Sequence, residues 1–350
     1  MSMDVSVSHK AAAAPSSAAS SNANRKARIG IGVAGGLGAL LAIGLIGWFG
    51  VGSVLGALAR IGWGGFALFT AASLLVFPLT GGAWGVLGKD VNPRSLAVFT
   101  WGRLLREGAS DLLPFSSLGG VLIGARGVTL RGVSNASSYG SLAVDLMTEI
   151  VAQIVYMVLG LSLLWAHLSH SSSSGLFLVC FGGAIVLSLF MIGGVMFAQS
   201  HGLDLFGKVL ERIAPDAVQH MQGVREWIAE LNRKPGRLAA SVILHLAGWI
   251  GSAALSWLAL TLMGVKLSFG SMIAIESLLS AVKSAAFMTP SGLGIQEAAY
   301  ALLGQVFGLT PEISIALSLL KRARDLVLGA PALVAWQAME GRRIFKPANA

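Results

Sequence analysis

Long uncharged stretches alternate with short basic ones along this chain. Residues 29–59 carry no formal charge over 31 positions, 61–88 none over 28, 150–203 none over 54, and 238–265 none over 28. A helix crossing the hydrocarbon of a bilayer needs roughly 20 apolar residues. The gaps therefore predict five spans, at about 30–50, 62–82, 140–166, 175–198 and 238–264. The polar run from His167 to Ser174 reads as the hairpin between the third and fourth. Residues 1–28 are rich in Ala and Ser, end in Arg25, Lys26 and Arg28, and read as a disordered tail. Between the fourth and fifth spans, 199–237 is too short for a catalytic domain. Phe206, Val209, Leu210 and Ile213 there predict an amphipathic surface helix.

Two regions break the simple pattern. Between Lys89 and Gly140 the chain must begin and end on one side, yet Leu96 to Thr100 and Leu112 to Ala125 are apolar. A paired dip into the bilayer, broken at Pro114 and Gly119-Gly120, satisfies both constraints. Irregular backbone survives at membrane depth where protein buries it or water lines it. A pair of amphipathic helices on the surface is the alternative. In the C-terminal third, residues 268–288 are followed by Thr289-Pro-Ser-Gly-Leu-Gly-Ile-Gln-Glu297, an apolar stretch to Leu309, and a last segment over about 312–339. Parity allows three crossings there, or one crossing plus a re-entrant pair. Pro114-Phe-Ser-Ser-Leu-Gly119 and Pro290-Ser-Gly-Leu-Gly294 look alike, and a basic residue, Arg106 or Lys283, precedes each Pro by seven or eight positions. Interrupted segments in corresponding halves point to a transporter-like site near the midplane.

Composition strengthens this reading. Hydrophobic residues make up 55% of the 350, charged residues 12%, and mean hydropathy is +0.74. Soluble chains carry about 25% charge, so a soluble enzyme is excluded. The net charge of +9 is a matter of topology before it suggests nucleic acid, and no nucleic-acid partner is expected. Lys and Arg gather in 1–28, 89–131, 199–237 and the C-terminal tail, whereas the turns holding Arg60 and Lys266 have one each. The positive-inside rule places the basic segments, and both termini, in the cytoplasm. The single Cys180 excludes a disulfide framework and a cysteine metal site.

Polar residues inside apolar segments are costly and must face the bundle interior. Asp145, Glu149, Gln153 and Tyr156 share one helical face, as do His245, Trp249, Ser252 and Ser256. Glu276 and Lys283 lie in the segment before the second break. Glu297 follows that break, where the first turn of a half-helix favours a carboxylate. Lys321, Arg322, Arg324 and Asp325 interrupt the last segment. Lys321 and Asp325, four apart, can pair within the helix. The positive excess then needs Glu297, Glu149 or Glu276, and an arginine there could also grip a lipid phosphate.

Gly30-Ile-Gly-Val-Ala-Gly35 matches a dinucleotide fingerprint literally but opens an apolar span, so it carries no such meaning. No catalytic motif is visible, and no cofactor or metal is expected. Leu113-Pro-Phe-Ser116, Gly119-Gly120, Gly124-Ala-Arg126, Glu276-Ser277, Gly294-Ile-Gln-Glu297 and Ser318-Leu-Leu-Lys-Arg-Ala-Arg-Asp325 together resemble the HpnL-type membrane proteins associated with hopanoid biosynthesis. These belong to the flippase-like superfamily of the lysylphosphatidylglycerol synthase transmembrane region. Gln296 and Gly120 stand where the wider family often has a basic and an acidic residue. The resemblance implies a multi-pass protein of the bacterial inner membrane that moves or handles lipid, phospholipid or hopanoid. Hopanoid-synthesis proteins are its possible partners. It implies that Arg126, Glu297 and Arg322 line a headgroup path, and translocation without synthesis. Glu149, Glu276, Lys283, Arg324 and Asp325 complete the candidate substrate-binding set. An intramembrane lipid-modifying transferase and a scaffold for lipid synthesis are the rival functions. The expected architecture is an all-α, polytopic membrane helix bundle of about six to eight spanning segments in two loosely similar halves. It occupies 29–340, followed by a tail at 341–350.

Overall fold

The computed structural model describes residues 51–89, 91–112, 116–168, 221–285 and 294–344. Every regular element among them is a helix: α1 (Val51–Ser73), α2 (Phe77–Gly85), α3 (Pro93–Leu112), α4 (Ser116–Thr129), α5 (Asn135–Leu168), α6 (Met221–Asn232), α7 (Pro235–Leu262), α8 (Phe269–Ala285), α9 (Ile295–Val306) and α10 (Pro311–Ile344). The protein is an all-α membrane helix bundle. Three described stretches are long and apolar enough to cross a bilayer: Ala59–Gly85, Asn135–Leu168 and Pro235–Leu262. They coincide with the second, third and fifth spans read from the charge gaps. The first and fourth, 30–50 and 175–198, lie outside the described residues, as do the tail at 1–28 and the helix expected around Phe206.

Helix starts follow local chemistry. The Asn92 side chain accepts the Ser95 N–H at 2.9 Å, just before Pro93 opens α3. Ser268 does the same for Ser271 at 3.0 Å at the head of α8. Pro235 and Pro311 each occupy a first helical position, where the missing N–H costs nothing. Within α1 the chain kinks at Gly62, whose φ of 62° suits glycine.

One end of the bundle is marked by Lys89, Arg233, Lys234 and Arg237. There Arg237 Nη1 donates to the Gly88 carbonyl at 2.9 Å, and Trp227 Nε1 donates to that of Leu87 at 3.3 Å. From this basic end α5 and α7 run to the opposite end. Helix α3 also leaves the basic end, passing Trp84 at Phe99 (ring centroids 5.3 Å apart), and stops at Leu112. Helix α4 returns, with Ser138 Oγ donating to the Ala125 carbonyl at 3.0 Å. Helix α8 starts at the opposite end, where Trp257 Nε1 donates to the Leu267 carbonyl at 2.8 Å. It descends only to the middle of α5, where Gln153 Nε2 donates to the Ser280 carbonyl at 3.1 Å. Helix α9 climbs back, so that the Val306 carbonyl lies 3.2 Å from His167 Nε2 at the far end of α5. Helix α10 then runs the full length. The two interrupted segments are thus helical hairpins entering from opposite ends. Helices α3 and α4 pack within the bundle against α2, α5 and α10, and α8 and α9 each cover only part of the length that α10 covers.

The first hairpin departs from expectation in one detail. Gly119 and Gly120 do not break it; both lie inside α4. A Cβ on Gly120 would meet the Arg106 carbonyl and Ser110, so the glycine serves close packing of α4 on α3. Residues 113–115, which include Pro114, lie outside the described residues.

Apolar side chains form two main cores. One, around Trp84, Phe99, Val128 and Leu142, lies toward the basic end. The other, around Phe69, Leu164, Leu260, Met272, Ile275, Tyr300 and Leu317, fills the opposite half. Trp63, Ile243, Leu302 and Val334 point outward and exposed, as a lipid-facing surface requires.

Candidate functional site

Between the two cores lies a polar layer, supplied by helix faces whose sequence spacing anticipates it. On α5, Asp145 and Glu149 are one turn apart and meet α3, where Arg103, Glu107 and Asp111 also recur every fourth residue. Arg103 Nη2 donates to Glu149 at 2.5 Å and its Nε to Glu107 at 2.6 Å. Arg106 donates to Glu149 at 2.6 Å and to Asp145 at 3.2 Å. On α7, His245 Nε2 lies 2.9 Å from the other oxygen of Asp145, and both residues are fully buried. A charge in such surroundings is tolerable only when paired and hydrogen-bonded. This network meets that condition with two guanidinium groups facing three carboxylates.

A second network joins α8, α9 and α10. Lys321 Nζ donates to both oxygens of Glu276, at 2.8 and 2.9 Å, and to the Tyr300 hydroxyl at 2.7 Å. Glu276 also accepts from Ser256 Oγ of α7 at 2.5 Å and from Tyr300 Oη. A third fixes the head of α9. There Gly294, at φ 79°, lets the chain turn, and its N–H donates to Glu297 at 2.8 Å. Glu297 accepts from Arg322 Nε at 2.6 Å and from Ser318 Oγ at 2.9 Å, and Gln296 donates to Ser318 at 2.8 Å. Glu297 therefore does open a half-helix, and the buried carboxylate faces a cation from α10.

The expected Lys321–Asp325 pair does not form. Lys321 reaches across to Glu276, while Asp325 accepts from its neighbour Arg324 at 2.9 Å. A helix-local pair would leave Glu276, buried on α8, without a counter-charge, whereas the observed exchange neutralises both. The Arg324 guanidinium also stacks over Phe69, 5.6 Å from the ring centroid. Of the three proposed partners for the positive excess, Glu297 takes Arg322 and Glu276 takes Lys321. Glu149 instead serves Arg103 and Arg106.

These networks wall a cavity of about 290 Å³ at the meeting of the two hairpins. Arg103, Arg106, Lys283, Lys321 and Arg324 line it with Glu107, Asp111, Glu276 and Asp325. Ser110 and Asp111 come from the tip of the first hairpin; Ser280 and Lys283 come from the descending arm of the second. Arg106 and Lys283, the basic residues preceding the two prolines, thus face one space. A smaller cavity of about 170 Å³, lined by Ser73, Phe77 and Thr80, shares Arg103, Glu107, Trp249, Ser252 and Arg324 with it. Of the expected site residues, Glu276, Lys283, Arg324 and Asp325 line the larger cavity. Glu149 stands behind its wall, bonded to Arg103 and Arg106. Glu297 and Arg322 brace the head of α9, beside Gln296, which does line it. Arg126 sits on α4 toward the basic end, with Nη2 2.6 Å from Glu340, and is not among the lining residues of either cavity.

Sequence reasoning passed over Arg103, Glu107, Asp111 and Tyr300 as site residues. The four-residue recurrence of Arg103, Glu107 and Asp111 was a usable signal, of the same kind as that on α5. Among the described residues, no grouping of His, Cys, Asp and Glu could hold a metal ion.

Comparison with curated proteins and with solved structures returns no significant match. A family model describing the lysylphosphatidylglycerol synthase TM region matches residues 33–332, which include both hairpins, the cavity and the three networks. The chain belongs to the family of the lysylphosphatidylglycerol synthase transmembrane region.

Proposed function

We propose that this protein handles membrane lipid by translocation, admitting a headgroup into the mid-bundle cavity while the tails stay in the bilayer. The observation that carries the reading is the convergence of charged side chains from two oppositely inserted hairpins on one polar space between two apolar cores. A headgroup crossing hydrocarbon loses its water, and a preformed set of charges and hydrogen-bond donors replaces it. Family membership supports a lipid-related role. The inner membrane of a bacterium, the basic end and both termini toward the cytoplasm, and a phospholipid or hopanoid cargo complete the proposal. So does a substrate-binding role for Glu276, Lys283, Arg324 and Asp325, with Glu149, Glu297 and Arg322 holding the wall. Arg126 is proposed to serve the basic mouth of the path. Hopanoid-synthesis proteins are its proposed partners.

The reading is tested in vesicles of phosphatidylethanolamine and phosphatidylglycerol containing the purified protein and a trace of headgroup-fluorescent lipid. A membrane-impermeant quencher then reports how much label has crossed. Translocation well above that of protein-free vesicles is expected. Ser252→Trp, which places a large ring where the two cavities join, should reduce it by about tenfold or more without a large change in thermal stability, because the ring enters open space. Equal crossing with and without protein would sink the proposal.

A further inference from the structure

One buried titratable residue takes no part in the headgroup reading. His245 of α7 is fully buried, and its Nε2 lies 2.9 Å from Asp145 Oδ1. Its Nδ1 is buried and has no hydrogen-bond partner among the described residues. The other Asp145 oxygen accepts from Arg106 at 3.2 Å and lies 3.8 Å from Arg103 Nη1. A buried ring nitrogen without a partner is an exception that calls for an explanation.

The charge balance supplies one. Arg103 and Arg106 face Glu107, Asp145 and Glu149, two cations against three carboxylates. Among the described residues, the rest of the polar layer balances. Lys321 answers Glu276, Arg322 answers Glu297 and Arg324 answers Asp325, while Lys283 and Asp111 act on each other across the cavity. With His245 neutral the layer holds one negative charge in excess, and one proton makes it neutral. Both occupancies stay within one charge of balance, so the proton can come and go at tolerable cost. Glu276 and Glu297 offer no comparable place, since each already accepts from a cation and a hydroxyl.

The surroundings of His245 agree. Of the helices packed on α7, α5 brings Asp145 and Glu149 toward the ring, and α2 has no ionisable residue. Helix α8 presents Glu276 three turns further along, at Ser256, and α10 brings Arg324 to the cavity beside Trp249. Helix α6 lies at the basic end, and the Arg60 of α1 is exposed. Helix α7 also supplies a route. Arg237, Ser241, His245, Trp249, Ser252 and Ser256 recur every three or four residues, one stripe from the basic end to the bond with Glu276. One turn toward the basic end from His245, Ser241 Oγ lies 2.8 Å from Thr148 Oγ1 of α5. One turn the other way, Trp249 lines both cavities.

We propose that the Asp145–His245 pair is a proton-binding site that couples lipid transfer to a proton gradient across the membrane. The coupling rests on the lipid-handling reading; the proton site does not. The proton arrives from water at one end, bonds to the Nδ1 lone pair, and leaves to water at the other. While bound it makes Nδ1 a donor that has no acceptor in this arrangement. The protonated pair therefore favours an arrangement that gives the N–H an acceptor, and occupancy biases the balance between two states.

The full chain in lipid bilayers, with ¹⁵N in its histidine rings, is titrated and followed by magnetic resonance. His245→Gln identifies the signal; glutamine keeps an N–H for Asp145 but does not titrate. The His245 ring should pass between its neutral and doubly protonated forms within about pH 5–8. A ring locked in one form over that range overturns the proposal. In the vesicles described above, a pH gradient of about one unit is imposed with the membrane potential clamped at zero. One proton accompanying each lipid should shift the leaflet ratio of the labelled lipid about tenfold, and His245→Gln should abolish the shift. Lipid that crosses yet distributes equally under the gradient, or a shift that survives His245→Gln, overturns this inference alone. If His245→Gln does not fold, the unsubstituted protein's leaflet ratio still decides the coupling. If no lipid crosses at all, the lipid-handling reading falls and the coupling with it.

Discussion

Glu276 illustrates how a charge is made tolerable in an apolar segment. Its carboxylate receives Lys321, Ser256 and Tyr300, from three different helices. Removing its charge strands the ammonium of Lys321, a residue only 8% exposed. Breaking a buried pair from one side costs about 3–5 kcal/mol, whereas replacing both partners with apolar groups is often nearly neutral. Glu276→Gln should therefore lower the thermal unfolding midpoint in detergent markedly, and Glu276→Gln with Lys321→Met should recover much of the loss. A double variant as unstable as the single one would show that the pair does not govern stability here. At this scale the sequence was informative about which residues matter and poor about whom they meet. The four-residue spacing of Asp145 and Glu149 marked a buried face. Their partners Arg103 and Arg106 lie about 40 positions away, and nothing in local spacing encodes such a pairing. Lys321 and Asp325 show the reverse error, since a favourable helical spacing lost to a buried carboxylate on another helix.

Small residues let the arms of the first hairpin pack closely. Gly102, Gly120 and Gly124 bring α3 and α4 together, and Gly108 of α3 faces Gly329 of α10 so closely that a Cβ on either would lie 2.9 Å from the other's Cα. Contact of this kind is backbone on backbone, so a side chain cannot simply rotate away. Gly108→Val should force α3 off α10, costing about 1–3 kcal/mol and reducing lipid transfer through displacement of Arg103, Arg106 and Asp111. Unchanged stability and transfer would mean that this crossing is looser than described. Element positions were largely legible, because uncharged length and Pro/Gly interruption are direct consequences of bilayer thickness and backbone hydrogen bonding. The role of Gly119-Gly120 was not. Glycine serves both to break a helix and to let another approach it, and only the neighbour on α3 distinguishes the two.

At the scale of the molecule, the arrangement is a wet layer held between apolar halves, entered by one broken hairpin from each end. The resemblance of the two interrupted motifs gains a physical meaning here, since Arg106 and Lys283 face a single cavity although their helices approach from opposite directions. On the proposed reading, such an arrangement would offer a headgroup a polar resting place between the two ends of the bundle. Cross-linking in intact membranes tests it most directly. With Cys180 replaced by serine, the chain carries Asp111→Cys and Lys283→Cys and is treated with a short bismaleimide. The two tips should become joined within one chain, and each single-cysteine control should take up a small water-soluble maleimide. Cysteines that each react yet never join would place the tips in separate compartments and contradict the shared cavity.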